Sequence, residues 1–103
     1  MPSIADLNKL LERDPTDAFV LYGLAQEYAK LKDTPKAVEF YDRCLKADPG
    51  YCYAYFHKAR ALETAGDIDG ARTTVRDGIA AARRVNDAHA LSELSGYMDE
   101  LEG

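Results

Sequence analysis

Residues 51–60 read YCYAYFHKAR, a run that sets four aromatic rings beside a thiol, an imidazole and two cations. Metal binding is the first chemistry to test, because Cys44, Cys52, His57 and His89 are all ligating types. A structural zinc site needs ligands in close pairs a few residues apart, and these four do not pair in that way. Cys52 and His57 stand five apart, off a common helix face, so a nucleophile and base pair is not expected either. Asp67 and Asp69 follow Gly66 in a turn, where solvated capping is the ordinary role. No glycine-rich phosphate loop is present. Glu93, Asp99, Glu100 and Glu102 read as a solvated helix surface, with attraction of a basic ligand segment as the alternative. The chain is therefore expected to lack both metal and cofactor and not to be an enzyme. What remains is the chemistry of holding a ligand: rings that bury apolar groups and an arginine that donates hydrogen bonds.

Something must place those side chains on one face, and the hydrophobic spacing says what. Leu21, Leu24, Ala25 and Tyr28 form an i, i+3, i+4, i+7 stripe, and Ala37, Val38, Tyr41, Cys44 and Leu45 form another. Both are amphipathic helices. Asp14-Pro15 recurs as Asp48-Pro49 after 34 residues, and the same period places Ala18 over Cys52, Leu21 over Tyr55, Ala25 over Ala59, Ala37 over Ala71 and Tyr41 over Val75. Each unit is thus a helix pair. Ser3 with Asp6 suggests a capping box for a helix running to about Arg13, with Leu7, Leu10 and Leu11 facing inward. Thr34-Pro35 suggests a threonine N-cap followed by proline at the first helical position. Gly66 supplies a left-handed turn, and Asp48-Pro49-Gly50 ends one helix before the next.

Composition agrees with one small helical domain. A chain of 103 residues with 47% hydrophobic and 30% charged residues can bury a core without staples. The net charge of −5 disfavours nucleic acid, whose phosphates require clustered Lys and Arg. No apolar run approaches the roughly 20 residues of a membrane span, so no membrane partner is expected. The start, MPSIADLNKL, has no basic segment followed by an apolar core, which makes the cytoplasm the expected location and reduced thiols the expected state of both cysteines.

The 34-residue helix-turn-helix unit, with large residues at Leu21, Leu24, Tyr28 and Tyr41, small ones at Ala25, Ala37 and Cys44, and proline at Pro49, resembles the tetratricopeptide repeat. The second unit matches through Tyr55, Ala59, Leu62, Ala71, Val75 and Gly78, but Lys58 stands where leucine is expected and Arg83 where proline is expected. The resemblance implies an all-α fold, a right-handed α-solenoid of antiparallel helix pairs with about six helices. Its expected parts are a half-repeat helix over 3–15, one repeat over 16–49, a second over 50–84 and a capping helix over 87–102. In this family the first helix of each pair lines a concave groove where extended peptides lie. Carried over residue by residue, the implied peptide-binding residues are Phe19, Tyr22, Gln26, Lys30, Tyr53, Phe56, His57, Arg60 and His89. Gly23, Gly96 and the remaining wall positions Ala29, Glu63, Thr64, Ser92, Glu93, Asp99 and Glu100 complete the expected walls.

The implied function is a non-enzymatic interaction module for a protein or peptide partner. Members that grip the acidic tail of heat-shock chaperones use a set of Lys, Asn and Arg at positions that hold Tyr22, Gln26, His57, His89 and Glu93 here, so that tail is not the expected ligand. The alternative is a structural module that forms a homo-oligomer through its terminal helices. Its motive is the 3-4-3 spacing of Leu91, Leu94, Met98 and Leu101.

Overall fold

The computed structural model describes residues 2–103 and contains, among them, six helices and no strand. They are α1 (Ile4–Arg13), α2 (Ala18–Lys30), α3 (Thr34–Ala47), α4 (Cys52–Thr64), α5 (Ile68–Arg84) and α6 (Ala88–Glu102). Consecutive helices pack on each other, and α2 also touches α4 as α4 touches α6. That contact pattern is an α-solenoid. The long axis measures 40 Å.

Side-chain caps start five of the six helices, α4 being the exception. Ser3 and Asp6 form the reciprocal capping box at α1. Aspartate caps α2, α3, α5 and α6: the carboxylates of Asp17, Asp33, Asp67 and Asp87 accept hydrogen bonds from backbone N–H groups of their first turns. The expected threonine cap of α3 is therefore corrected by one residue. Asp33 reaches the Lys36 N–H at 3.2 Å, which makes Thr34 the first helical residue. A carboxylate also gains from the positive end of the helix dipole, an advantage that a hydroxyl lacks.

Turns repeat as well, two of them inside a helix pair and one before the closing helix. Lys32, Gly66 and Asn86 all take positive φ, at 60°, 90° and 58°. Asp14 and Asp48 end α1 and α3 with nearly identical extended backbones, φ −144° and −141°. The Asp-Pro recurrence in the sequence is thus the mark of a repeated helix stop.

Two core clusters fill the layers, one under α1 to α4 around Leu21, Leu24, Tyr41 and Cys44, the other joining α4, α5 and α6 around Ala59, Val75, Ala82 and Leu94. Small residues set the closest approach. A methyl group built at Gly78 would lie 2.7 Å from the Tyr55 Cβ, so glycine there lets α5 sit directly against α4. Two expectations need adjustment. Leu10 is 45% exposed, because α1 has only α2 as a neighbour and its buried side is spent on Leu7 and Leu11. Phe40, outside the expected α3 stripe, is buried and stacks on Tyr28, their centroids 5.6 Å apart.

Lys58, the residue out of pattern in the second unit, reaches across to α3. Its Nζ lies 2.7 Å from Asp42 Oδ1, and the side chain is only 22% exposed. An ion pair between layers stands where the repeat pattern expects leucine.

Candidate functional site

Helices α2, α4 and α6 run in the same sense and share one face of the molecule, since α4 touches both of its counterparts. A line of ring contacts crosses that face. Tyr51 meets Tyr22 at 5.0 Å, Tyr22 meets His57 at 5.9 Å, His57 meets Phe56 at 5.5 Å and Phe56 meets Tyr97 at 5.2 Å between centroids. The rings form a continuous floor from α2 to α6. Arg60 lies upon its far end, the guanidinium carbon 5.8 Å from the Phe56 centroid and 5.6 Å from that of Tyr97, which is the range of cation–π attraction.

Two clefts open on either side of Arg60. The cleft between α2 and α4, about 380 Å³, is lined by Gln26, Ala29, Lys32, His57 and Thr64 along with Arg60. The cleft between α4 and α6, about 360 Å³, is lined by Phe56, Tyr97, Ser92, Glu93, Gly96 and Glu100, again with Arg60. Arg60 is the wall they share.

Of the nine residues expected to bind, Gln26, Phe56, His57 and Arg60 line these clefts, whereas Phe19, Tyr22, Lys30, Tyr53 and His89 line neither. Tyr22 is half-buried, its ring packed by Tyr41, Tyr51 and His57, so it supports the floor from below. Phe19, Tyr53 and His89 are each the second residue of their helix and stand exposed along one edge of the face, Phe19 at 74% and Tyr53 at 41%. Lys30 pairs with Glu27 at 3.0 Å, and His89 Nε2 lies 2.8 Å from Glu93 Oε1.

Burial tunes the polar groups. His57 has its pKa lowered, first by desolvation and then by the positive charge of Arg60, so it enters the site as a neutral imidazole. The Tyr41 hydroxyl donates to Gln26 Oε1. The Tyr97 hydroxyl donates to Glu63 Oε1 at 2.6 Å, and burial followed by that bond raises its pKa. Both cysteines are buried and unbridged; desolvation pushes the Cys44 thiol up to about 12 and raises that of Cys52.

Tyr97 is the residue that sequence reasoning missed. The repeat pattern aligns it with Glu27 and Ala61, positions with no expectation of a ring, and the signal that could have found it is its i+3 spacing from Leu94 together with its i−4 spacing from Leu101. Gly23 and Gly96 also part ways. A methyl group at Gly23 would meet Leu7 at an ordinary 3.5 Å, and one at Gly96 would meet nothing within 4 Å, so helix packing accounts for neither glycine. Gly96 simply widens the α4/α6 cleft.

Comparisons with known proteins agree with the geometry. Family signatures described as Tetratricopeptide repeat match residues 18–51 and 40–73. The TPR repeat-containing protein PA0015 of Pseudomonas aeruginosa is 30% identical over 99 residues, which covers 96% of this chain and 94% of that protein. A tetratricopeptide repeat domain protein of Salinibacter ruber, solved by NMR, superposes with a TM-score of 0.80 at 33% identity over 87% of this chain and 91% of that one. PcrH, crystallised in complex with the chaperone binding region of PopD, superposes with a TM-score of 0.87 at 20% identity, over 96% of this chain and 75% of that one, and so shares the fold. With its recurring helix pairs, repeated turns and a relative matched over 96% of its length, the chain belongs to the tetratricopeptide repeat family.

Proposed function

We propose that the face formed by α2, α4 and α6 holds an extended peptide or partner segment and that the chain is a non-enzymatic interaction module. The observation that carries this reading is Arg60, held over two rings at the junction of two clefts. Phe56 and the edge rings Phe19 and Tyr53 offer apolar surface, each worth about 1.5 to 3 kcal/mol if fully desolvated. Gln26, His57 and Arg60 orient the ligand by hydrogen bonds, Tyr22 holds the floor in place, and Lys30 and His89 stand exposed at the two ends. PcrH, of the same fold, takes a region of PopD; the partner of this chain is read from its own residues.

The double variant Tyr53→Ala, Arg60→Ala tests it, since both side chains are exposed and their loss leaves the core intact. A partner captured by the wild-type chain and lost by a variant with unchanged circular dichroism supports the groove. Equal capture by both would overturn it. Self-assembly through the terminal helices is less favoured, because Leu94 and Leu101 of the suspected seam are buried within the chain's own core and Leu91 and Met98 pack against it.

A further inference from the structure

The two clefts share Arg60 but differ in charge, because carboxylates line only the one between α4 and α6. No carboxylate lines the α2/α4 cleft, whose charged groups are Arg60 and Lys32, and neither has an acidic partner within 4.0 Å among the described residues. Gln26 spends its carbonyl oxygen on the Tyr41 hydroxyl, which leaves its amide N–H groups to donate. Such a cleft fits a carboxylate.

The α4/α6 cleft presents Glu93 and Glu100 above the Phe56 and Tyr97 rings, with room over Gly96. Glu93 also faces His89, whereas Glu100 has no cation within 4.0 Å among the described residues. Arg60 forms the inner wall and covers the rings on that side, so a lysine or arginine side chain fits at the α6 side of the cleft, its stem over Gly96 and its charge at the carboxylates.

We propose, on the basis of the groove reading above, that the occupant is an extended segment that presents an acidic side chain to the α2/α4 cleft and a basic one to the α4/α6 cleft. Neighbouring packed helices lie about 10 Å apart, and an extended chain advances about 3.3 Å per residue. The two charges should therefore stand about three residues apart.

Selection of a phage-displayed library of random peptides on the intact chain tests this directly. Selected peptides are expected to carry Asp or Glu about three residues from Lys or Arg, to bind more weakly as salt rises, and to lose about tenfold in affinity to the Arg60→Gln variant. Selection on Glu93→Lys, Glu100→Lys is expected to turn the basic position acidic. Peptides that depend on Tyr53 and Arg60 but show no paired charges would overturn the charge pattern and leave the groove standing. Peptides indifferent to Tyr53→Ala, Arg60→Ala, or a selection that yields none, would overturn the groove and the charge pattern together.

Discussion

The guanidinium of Arg60 in α4 lies over the ring of Tyr97 in α6, carbon to centroid 5.6 Å, and that contact ties the second repeat to the closing helix. Tyr97 is 3% exposed and its hydroxyl donates to Glu63. Tyr97→Phe keeps the ring and drops one hydrogen bond to an exposed carboxylate, so urea denaturation should show a loss of about 1 kcal/mol. Tyr97→Ala removes the ring from the core and should cost about 3 to 5 kcal/mol. Similar losses for the two variants would show that the ring does not pack as described.

Two glycines predict changes of opposite sign. Gly78→Ala places a methyl group 2.7 Å from the Tyr55 Cβ, and overpacking of that kind costs about 1 to 3 kcal/mol. Gly96→Ala meets open space and should stabilise α6 by up to about 1 kcal/mol through helix propensity, while narrowing the α4/α6 cleft. A peptide that uses that cleft should then bind more weakly to a more stable protein. Thermal unfolding and peptide titration of the same variant check both halves.

Lys32 and Gly66 occupy equivalent turns with positive φ, yet only one of them is glycine. A side chain in that backbone region costs about 1 to 2 kcal/mol. Lys32→Gly should therefore gain about 1 kcal/mol, part of the relief being offset by the freer unfolded chain, and Gly66→Ala should lose about 1 kcal/mol. Chemical denaturation of the pair would expose an error in either turn as a change of the wrong sign.

The thiols and phenols predict an alkaline limit. Burial raises the Cys44 thiol from 9.0 and the Tyr51 phenol from 10.0, each to about 12, and raises those of Tyr41 and Tyr97 as well. Groups with raised native pKa favour the folded state fully below their unfolded values, so this stabilisation is whole below pH 9.0 and fades as pH climbs toward about 12. Unfolding midpoints should fall over that window, and iodoacetamide should label Cys44 of the native chain far more slowly than a free thiol at pH 8. Rapid native labelling would contradict the burial of Cys44.

Period and punctuation made the helix pairs legible in advance. A 34-residue recurrence of Asp-Pro, small residues at Ala25, Ala59, Ala37 and Ala71, and a capping box at Ser3 are local or periodic signals, and the physics behind them acts within a turn or between adjacent helices. Gln26, Phe56, His57 and Arg60 were named through the repeat resemblance, which assigns the first helix of each pair to the groove face, and they line the two clefts. Sequence could not decide what that face meets. Whether Tyr22 lies open or beneath three other rings, whether Arg60 points to solvent or rests on Phe56 and Tyr97, and whether Leu94 and Leu101 form a seam or a core all depend on the next layer of the stack. Helical periodicity carries direction around one axis; burial, cation–π contact and the division of the face into a donor-lined and an acid-lined cleft arise only from the distances between axes, and those are set by the packed solenoid.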